Sequence, residues 1–236
     1  MFFRRQPSSD NRFDTLKAGA YRPRFDVDPE WPVVALSELI IGKPKNGYSG
    51  KPVAHATKLK VLSLSATTSG RLDATKSKFL DEHIAADAAC RCQHGDIYLQ
   101  RGNTAELVGT AALFDIDEPN FIYPDRMIRV RADETKILTK FLLHTLQSAP
   151  VRASLMSQAG GAAGSMPKIN QGIVERVPIP LPSLPEQERI VAELDAEAAQ
   201  LEAVRGLIPA FEAKISRTLA RVRGTATAED SASAPD

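Results

Sequence analysis

The chain has 236 residues, of which 43% are hydrophobic and 25% charged, with a formal net charge of +1. That composition supports one ordinary folded domain with an appendage, or two small domains, and excludes a low-complexity or collagen-like polymer. No run of eighteen apolar residues exists to span a membrane, and Met1-Phe2-Phe3-Arg4-Arg5 leads into polar residues rather than a signal-peptide core. Cys90 and Cys92 are the only cysteines and stand one residue apart, so no framework of bridges is available and a reducing cytoplasm is the expected setting.

Residues 1–28 are polar and basic without period, which reads as a flexible arm. Structure is expected to begin at Pro29-Glu30-Trp31-Pro32, followed by apolar contacts from Val33, Val34, Leu36, Leu39, Ile40 and Ile41. Gly42 to Pro52 holds three glycines and two prolines among polar residues and predicts a loop. Leu59 to Ser65 alternates as a half-buried strand does, with Thr68-Ser69-Gly70 to end it. Charge is uneven along this stretch: from Lys43 to Lys78 eight basic residues face one acid, Asp73, whereas Ser183 to Asp236 holds ten acids and six bases. A basic body with an acidic end suits a polyanion on one part and a protein partner on the other, although charge runs are also ordinary solvated faces.

Ile97-Tyr98-Leu99, Val108 to Phe114, Phe121-Ile122-Tyr123 and Met127 to Arg131 predict further strands, punctuated by His94-Gly95-Asp96 and Arg101-Gly102-Asn103-Thr104. Ile137, Phe141, Leu142 and Leu146 recur at helical spacing up to about Ser148, with a second short helix over Pro150 to Met156. Ala159 to Ser165 is glycine-rich and predicts a flexible loop. Alternate prolines hold Val177 to Pro182 extended. Ser183-Leu184-Pro185-Glu186 then matches a capping box with proline in the first turn, the start of a long helix.

Apolar residues run down that helix from Val191 through Leu194, Ala198, Leu201, Val204, Ile208, Phe211, Ile215 and Leu219 to Val222, at a mean step near 3.4. Such a step describes a coiled-coil seam. The seam is ~46 Å long at the helical rise, more than one small domain covers by itself. Two alternatives stand beside it, packing on its own domain or a hairpin bent at Pro209, where proline is expected to kink or divide the helix. The expected fold class is α+β: a strand-rich domain over residues 29–182, a long helix over 183–223 and a disordered tail over 224–236.

Several of these strings resemble the target-recognition domain of type I restriction–modification specificity subunits. They are Trp31 to Leu36, Lys60-Val61-Leu62-Ser63, Ser69-Gly70-Arg71-Leu72, Gly95-Asp96-Ile97, Gly102 and Val108-Gly109. The most specific runs from Met166-Pro167-Lys168-Ile169-Asn170-Gln171 through the proline segment to Ser183-Leu184-Pro185-Glu186-Gln187-Glu188-Arg189-Ile190 and Leu194-Asp195. The resemblance implies a non-catalytic DNA reader in which each recognition domain reads half of a split target while long helices join two domains and dock methyltransferase subunits. It implies no cofactor on this chain, with S-adenosylmethionine, and ATP and Mg²⁺ where the complex restricts, on partner subunits. Base reading needs polar side chains at base edges and cations at phosphates. Loops offering both are Lys43, Lys45, Asn46, Tyr48, Ser49 and Lys51; Arg101, Asn103 and Thr104; Arg126; and Ser165, Lys168, Asn170 and Gln171. Helix residues expected to meet a partner or a second copy are Glu186, Gln187, Ile190, Val191, Leu194, Leu201, Ile208, Phe211, Ile215 and Leu219. Relatives carry two such sets and this chain one, so it resembles a half-subunit that pairs as an antiparallel homodimer or with a different second half.

Two chemical alternatives stand beside the DNA-reading expectation. Asp125, with Glu134 and Lys136, fits a loose metal-nuclease pattern in which two carboxylates and a lysine hold Mg²⁺ and position water. Cys90, Cys92, His94 and His83 offer four zinc-type ligands, but one residue between cysteines is too few for a usual structural site, so two buried cysteines and a loop histidine are expected. No methyltransferase cofactor loop is present.

Overall fold

The computed structural model describes residues 28, 30–161 and 166–222. The basic arm over 1–27, the residues 162–165 and the tail from 223 onward lie outside them. The described residues fall into two units, one ending at Val191 and the other beginning at Ala192. Among them no helix is long and apolar enough to cross a membrane.

The first unit is built on two four-stranded sheets and a two-stranded ribbon. The ribbon pairs β1 (Val33–Ala35) antiparallel with β10 (Pro178–Pro180), so the two ends of the domain meet. Prolines are tolerated in β10 because its only strand partner among the described residues is β1. Leu36, Leu39 and Ile40 follow β1 into the core, whereas Val33 and Ile41 stay exposed.

One sheet has the order β2 (Lys45–Asn46), β9 (Met127–Arg131), β6 (Asp96–Gln100), β7 (Ala111–Leu113), all antiparallel. The other has the order β3 (Pro52–Val53), β5 (Ser77–Leu80), β4 (Leu59–Leu62), β8 (Phe121–Ile122), with β4 and β8 parallel. Strand β6 is paired on both edges, and all five of its residues are buried. Tyr98 leads the core: it lies 4.7 Å from Tyr123, meets Phe114 edge-on at 6.2 Å, and packs with Leu62, Phe121 and Met127. Each such ring or aliphatic chain contributes about 1.5–3 kcal/mol by leaving water.

A fully buried Asp96 sits at the start of β6. Its carboxylate accepts two bonds from Arg131 at 2.9 and 2.7 Å, one from the Gln93 amide at 2.9 Å and one from the Tyr98 hydroxyl at 3.1 Å. A buried charge is sustained only when paired and hydrogen-bonded in this way.

The expected loop from Gly42 to Pro52 contains β2, which pairs with β9 and puts Lys45 opposite Arg129. Composition concealed this because a two-residue strand has no visible period. The expected strand over Val108–Phe114 shortens to β7, because Gly109 takes φ +73° and turns the chain first. The strand expected over Leu59–Ser65 likewise ends at Leu62 and gives way to a 3-10 turn at Leu64–Thr67.

Helices α1 (Thr139–Gln147) and α2 (Ala149–Gln158) match the predicted pair, separated by extended Ser148. A short α3 (Gln171–Glu175) is capped by Asn170, whose Oδ1 accepts the Ile173 amide at 2.9 Å. Helix α4 runs from Leu184 to Val222 as one element with Pro209 inside it, so the proline does not divide it and no hairpin forms. At its start the Glu186 carboxylate takes the Arg189 guanidinium, with contacts of 2.7 and 3.0 Å. The expected reach of Glu186 back to Ser183 gives way to this pair, a neighbour one turn ahead on the same face.

Candidate nucleic-acid interface

Four loops distant in sequence meet beside the β2–β9 edge of the first sheet. The Arg101 amide donates to the Arg126 carbonyl at 2.7 Å, and Arg101 Nη1 to the Asp125 carbonyl at 3.3 Å. Ser49 Oγ donates to Asp125 Oδ1 at 2.6 Å. The Ile169 amide donates to the Arg101 carbonyl at 2.8 Å, and Lys168 forms backbone bridges with Gly102 and Gly160. Gln171 Nε2 approaches Asn46 Oδ1 at 3.4 Å. Together Arg101, Gly102, Asp125, Arg126, Met166 and Lys168 line a cleft of about 180 Å³.

Local backbone demands explain how the loops close so tightly. A Cβ on Gly47 would sit 2.0 Å from the Tyr123 carbonyl oxygen, so only glycine lets the 43–51 loop lie against the 123–126 segment. The Tyr48 amide then donates to that carbonyl at 2.9 Å. The Tyr48 ring is 42% exposed, and its hydroxyl donates to Glu82 Oε2 at 2.8 Å, while Glu82 Oε1 accepts the Lys51 amide at 2.7 Å. The hydrogen bond from Tyr48 chiefly holds the Glu82 carboxyl below its usual pKa, and the same bond raises that of the Tyr48 phenol. Glu82 escaped sequence reasoning because it lies on the far side of a 31-residue separation from Lys51.

Of the expected reading residues, Lys45, Asn46, Ser49, Arg101, Arg126, Lys168 and Gln171 come together here, and Lys43 is exposed on the same loop. Asn103 is diverted: its Nδ2 donates to Gln100 Oε1 at 2.6 Å and its Oδ1 accepts the Thr104 amide at 2.8 Å, so it shapes the turn that leaves Thr104 exposed. Asn170 is likewise spent in part on capping α3. Ser165 lies outside the described residues. Arg129 also faces this edge of the sheet, a residue that sequence reasoning misses. Strand alternation places it on one face with Arg131; Asp96 neutralises Arg131, whereas Arg129, across from Lys45, donates to the Ala89 carbonyl at 3.1 Å and lies over the Tyr123 ring.

The nuclease pattern does not assemble. Asp125 precedes β9 and is bound to Ser49, whereas Glu134 follows it and caps α1 by accepting the Thr139 amide at 3.0 Å. The extended strand between them spans roughly 13 Å, too far for a shared ion. Lys136 turns instead to Asp133 at 3.0 Å and the Glu38 carbonyl at 3.1 Å. Cys92 is packed in the core, where burial pushes its thiol pKa up to about 12, and His94 pairs with Asp117 at 3.1 Å on the surface. Cys92 is thus buried as its spacing predicts, whereas Cys90 is only half-buried against the same core.

The expected partner residues of α4 divide into two groups. Gln187 is fully buried: Oε1 accepts the Leu138 amide at 2.9 Å, and Nε2 donates to the Pro182 and Lys136 carbonyls at 3.0 and 3.3 Å. Ile190 and Leu194 are buried as well. Gln187 is thus bound within its own unit, and Glu186 holds Arg189. Val191 and Leu201 are half-buried. Ile208, Phe211, Ile215 and Leu219 are exposed, as are Val204 and Leu207.

A family model described as the type I restriction modification DNA specificity domain matches residues 30–208. The type I restriction enzyme EcoKI specificity subunit of Escherichia coli K12 is 26% identical over 213 residues, 84% of this chain and 44% of that protein. The HsdS subunit from Thermoanaerobacter tengcongensis is similar in structure with a TM-score of 0.58 at 20% identity, over 91% of this chain and 54% of that one. A chain from a study of complex assembly and conformational transition of the type I R-M system gives 0.61 at 19% identity, over 88% and 51%. At such identities the structural likeness establishes the fold. The chain spans about half the length of these relatives. With three quarters of its residues inside the family match, the protein belongs to the type I restriction modification DNA specificity domain family.

Proposed function

We propose that this chain reads one half of a split double-stranded DNA target for a type I restriction–modification complex and has no catalytic activity of its own. The convergence of the 43–51, 101–104, 125–126 and 168–171 loops carries the proposal. It gathers Lys45, Arg101, Arg126 and Lys168 with the amides of Asn46 and Gln171 and the hydroxyl of Ser49, the mixture of phosphate and base-edge groups that sequence reading requires. Domains are assigned as reader over 29–182, spacer helix over 183–223, and flanking arm and tail. Methyltransferase subunits, working in the cytoplasm, bring S-adenosylmethionine, and a restriction subunit brings the ATP- and Mg²⁺-dependent step where cleavage occurs.

The second half of the target is read by a second copy. Val204, Leu207, Ile208, Phe211, Ile215 and Leu219 are all exposed along α4, and a run of large apolar side chains at that spacing favours a second helix. A twofold pair implies two inverted copies of one half-site.

Light scattering tests this directly. A dimer of about 51 kDa, twice the 25.6 kDa chain, that takes up methyltransferase subunits and binds DNA with steep salt dependence supports the proposal. Phe211→Glu with Ile215→Glu then yields a monomer. A wild-type monomer that ignores both DNA and methyltransferase refutes it.

A further inference from the structure

We propose that Asp125, partnered by Arg101, reads the major-groove edge of a C·G base pair; the proposal rests on the DNA-reading function above. An acidic side chain in the middle of a cationic DNA face repels phosphate, which offers it no donor, so backbone contact gives it no role. Asp125 nevertheless stands exposed in the cleft walled by Arg101, Arg126 and Lys168.

Its orientation is fixed from two sides. Oδ1 accepts Ser49 Oγ at 2.6 Å, and the same hydroxyl accepts the Asp125 amide at 3.2 Å. Oδ2 receives no donor from the described residues. Arg101 is held beside it by Nη1 to the Asp125 carbonyl at 3.3 Å and by its own amide to the Arg126 carbonyl at 2.7 Å. A positioned acceptor and a positioned guanidinium therefore stand next to each other.

A C·G pair presents the complement of that arrangement. Cytosine N4 is a donor in the major groove, and guanine O6 and N7 form the two-acceptor edge that a guanidinium grips. An A·T pair places a single acceptor on each side of its donor and lacks the adjacent pair of acceptors. Asp125 is thus a specificity-determining residue, and the carboxylate that suggested metal chemistry with Glu134 and Lys136 finds its use in base selection.

The test is sequence selection from a randomised duplex pool by the full chain with a type I methyltransferase subunit, comparing wild type, Asp125→Ala, Asp125→Asn and Ser49→Ala. The wild-type motif is expected to contain a required C·G position. Asp125→Ala relaxes that position alone by at least about fivefold, the lower end of what one base contact discriminates. Asp125→Asn keeps the acceptor for Ser49 and swings the position towards adenine, whose N6 and N7 a carboxamide matches. Ser49→Ala keeps the base and weakens the preference. Two results overturn the assignment: an Asp125→Ala motif identical to wild type, or an Asp125→Ala chain weakened equally at every position, as a loop-ordering residue would be. A wild-type chain that enriches no sequence defeats the DNA-reading function itself.

Discussion

Replacing Gln187 with alanine removes three hydrogen bonds and leaves their partners behind. The Leu138 amide loses its acceptor at the start of α1, and the Pro182 and Lys136 carbonyls lose a donor. Gln187 has no solvent exposure, so water does not simply take its place. A buried group left unpaired costs about 1–3 kcal/mol. Taking the lower half of that range for the two partly buried partners and the middle for Pro182, the loss is about 4–6 kcal/mol, a large share of the ~5–15 kcal/mol that holds a domain folded. With a urea slope of ~2 kcal/mol per molar, the unfolding midpoint of the Gln187→Ala chain falls by ~2–3 M at constant slope. Circular dichroism at 222 nm against urea measures it. A fall of less than ~0.5 M, accompanied by lost methyltransferase uptake, refutes the packing argument and returns Gln187 to the partner surface that its place in the Glu-Gln motif first implied.

The other predictions rest on single contacts. Gly47→Ala drives a Cβ to within 2.0 Å of a backbone oxygen that cannot rotate away, so the 43–51 loop must shift; melting falls by several degrees at a cost of ~1–3 kcal/mol, and an unchanged melting curve counts against it. The Tyr48–Glu82 bond ties loop order to pH. Because the folded-state pKa of Glu82 lies below its ordinary value of 4.5, its stabilisation is complete above 4.5 and is lost as pH falls through the lower folded value. Tyr48 is raised above 10.0, so its share is complete below 10.0 and is lost as pH rises through the folded value. A Glu82 carboxyl that titrates by NMR at or above 4.5 contradicts this. Finally, the Cys92 thiol, raised to about 12 by burial, stays unmodified by a maleimide at pH 8 in the folded chain and reacts once the chain is unfolded; prompt labelling of the folded chain, mapped to Cys92 by mass spectrometry, argues otherwise.

Local physics alone determined a good deal here. Alternation marks Met127–Arg131 as a strand, helical spacing marks Thr139–Gln147, and the proline run followed by Ser183-Leu184-Pro185 marks where α4 begins, because each depends on neighbours a few residues away. The same short-range grammar places the reading groups on loops. Tertiary structure decided which loops share a face and which polar side chains remain free to read. Asn103 and Asn170 look like base readers in sequence, yet both are partly consumed by backbone amides. Asp125 and Glu134 look like one site, yet β9 separates them. Gln187 looks like a contact for a partner, yet it serves α1 across a separation of 49 residues. A hydrogen-bond partner that distant leaves no trace in local spacing, since nothing in the intervening residues sets the distance at which the two groups meet.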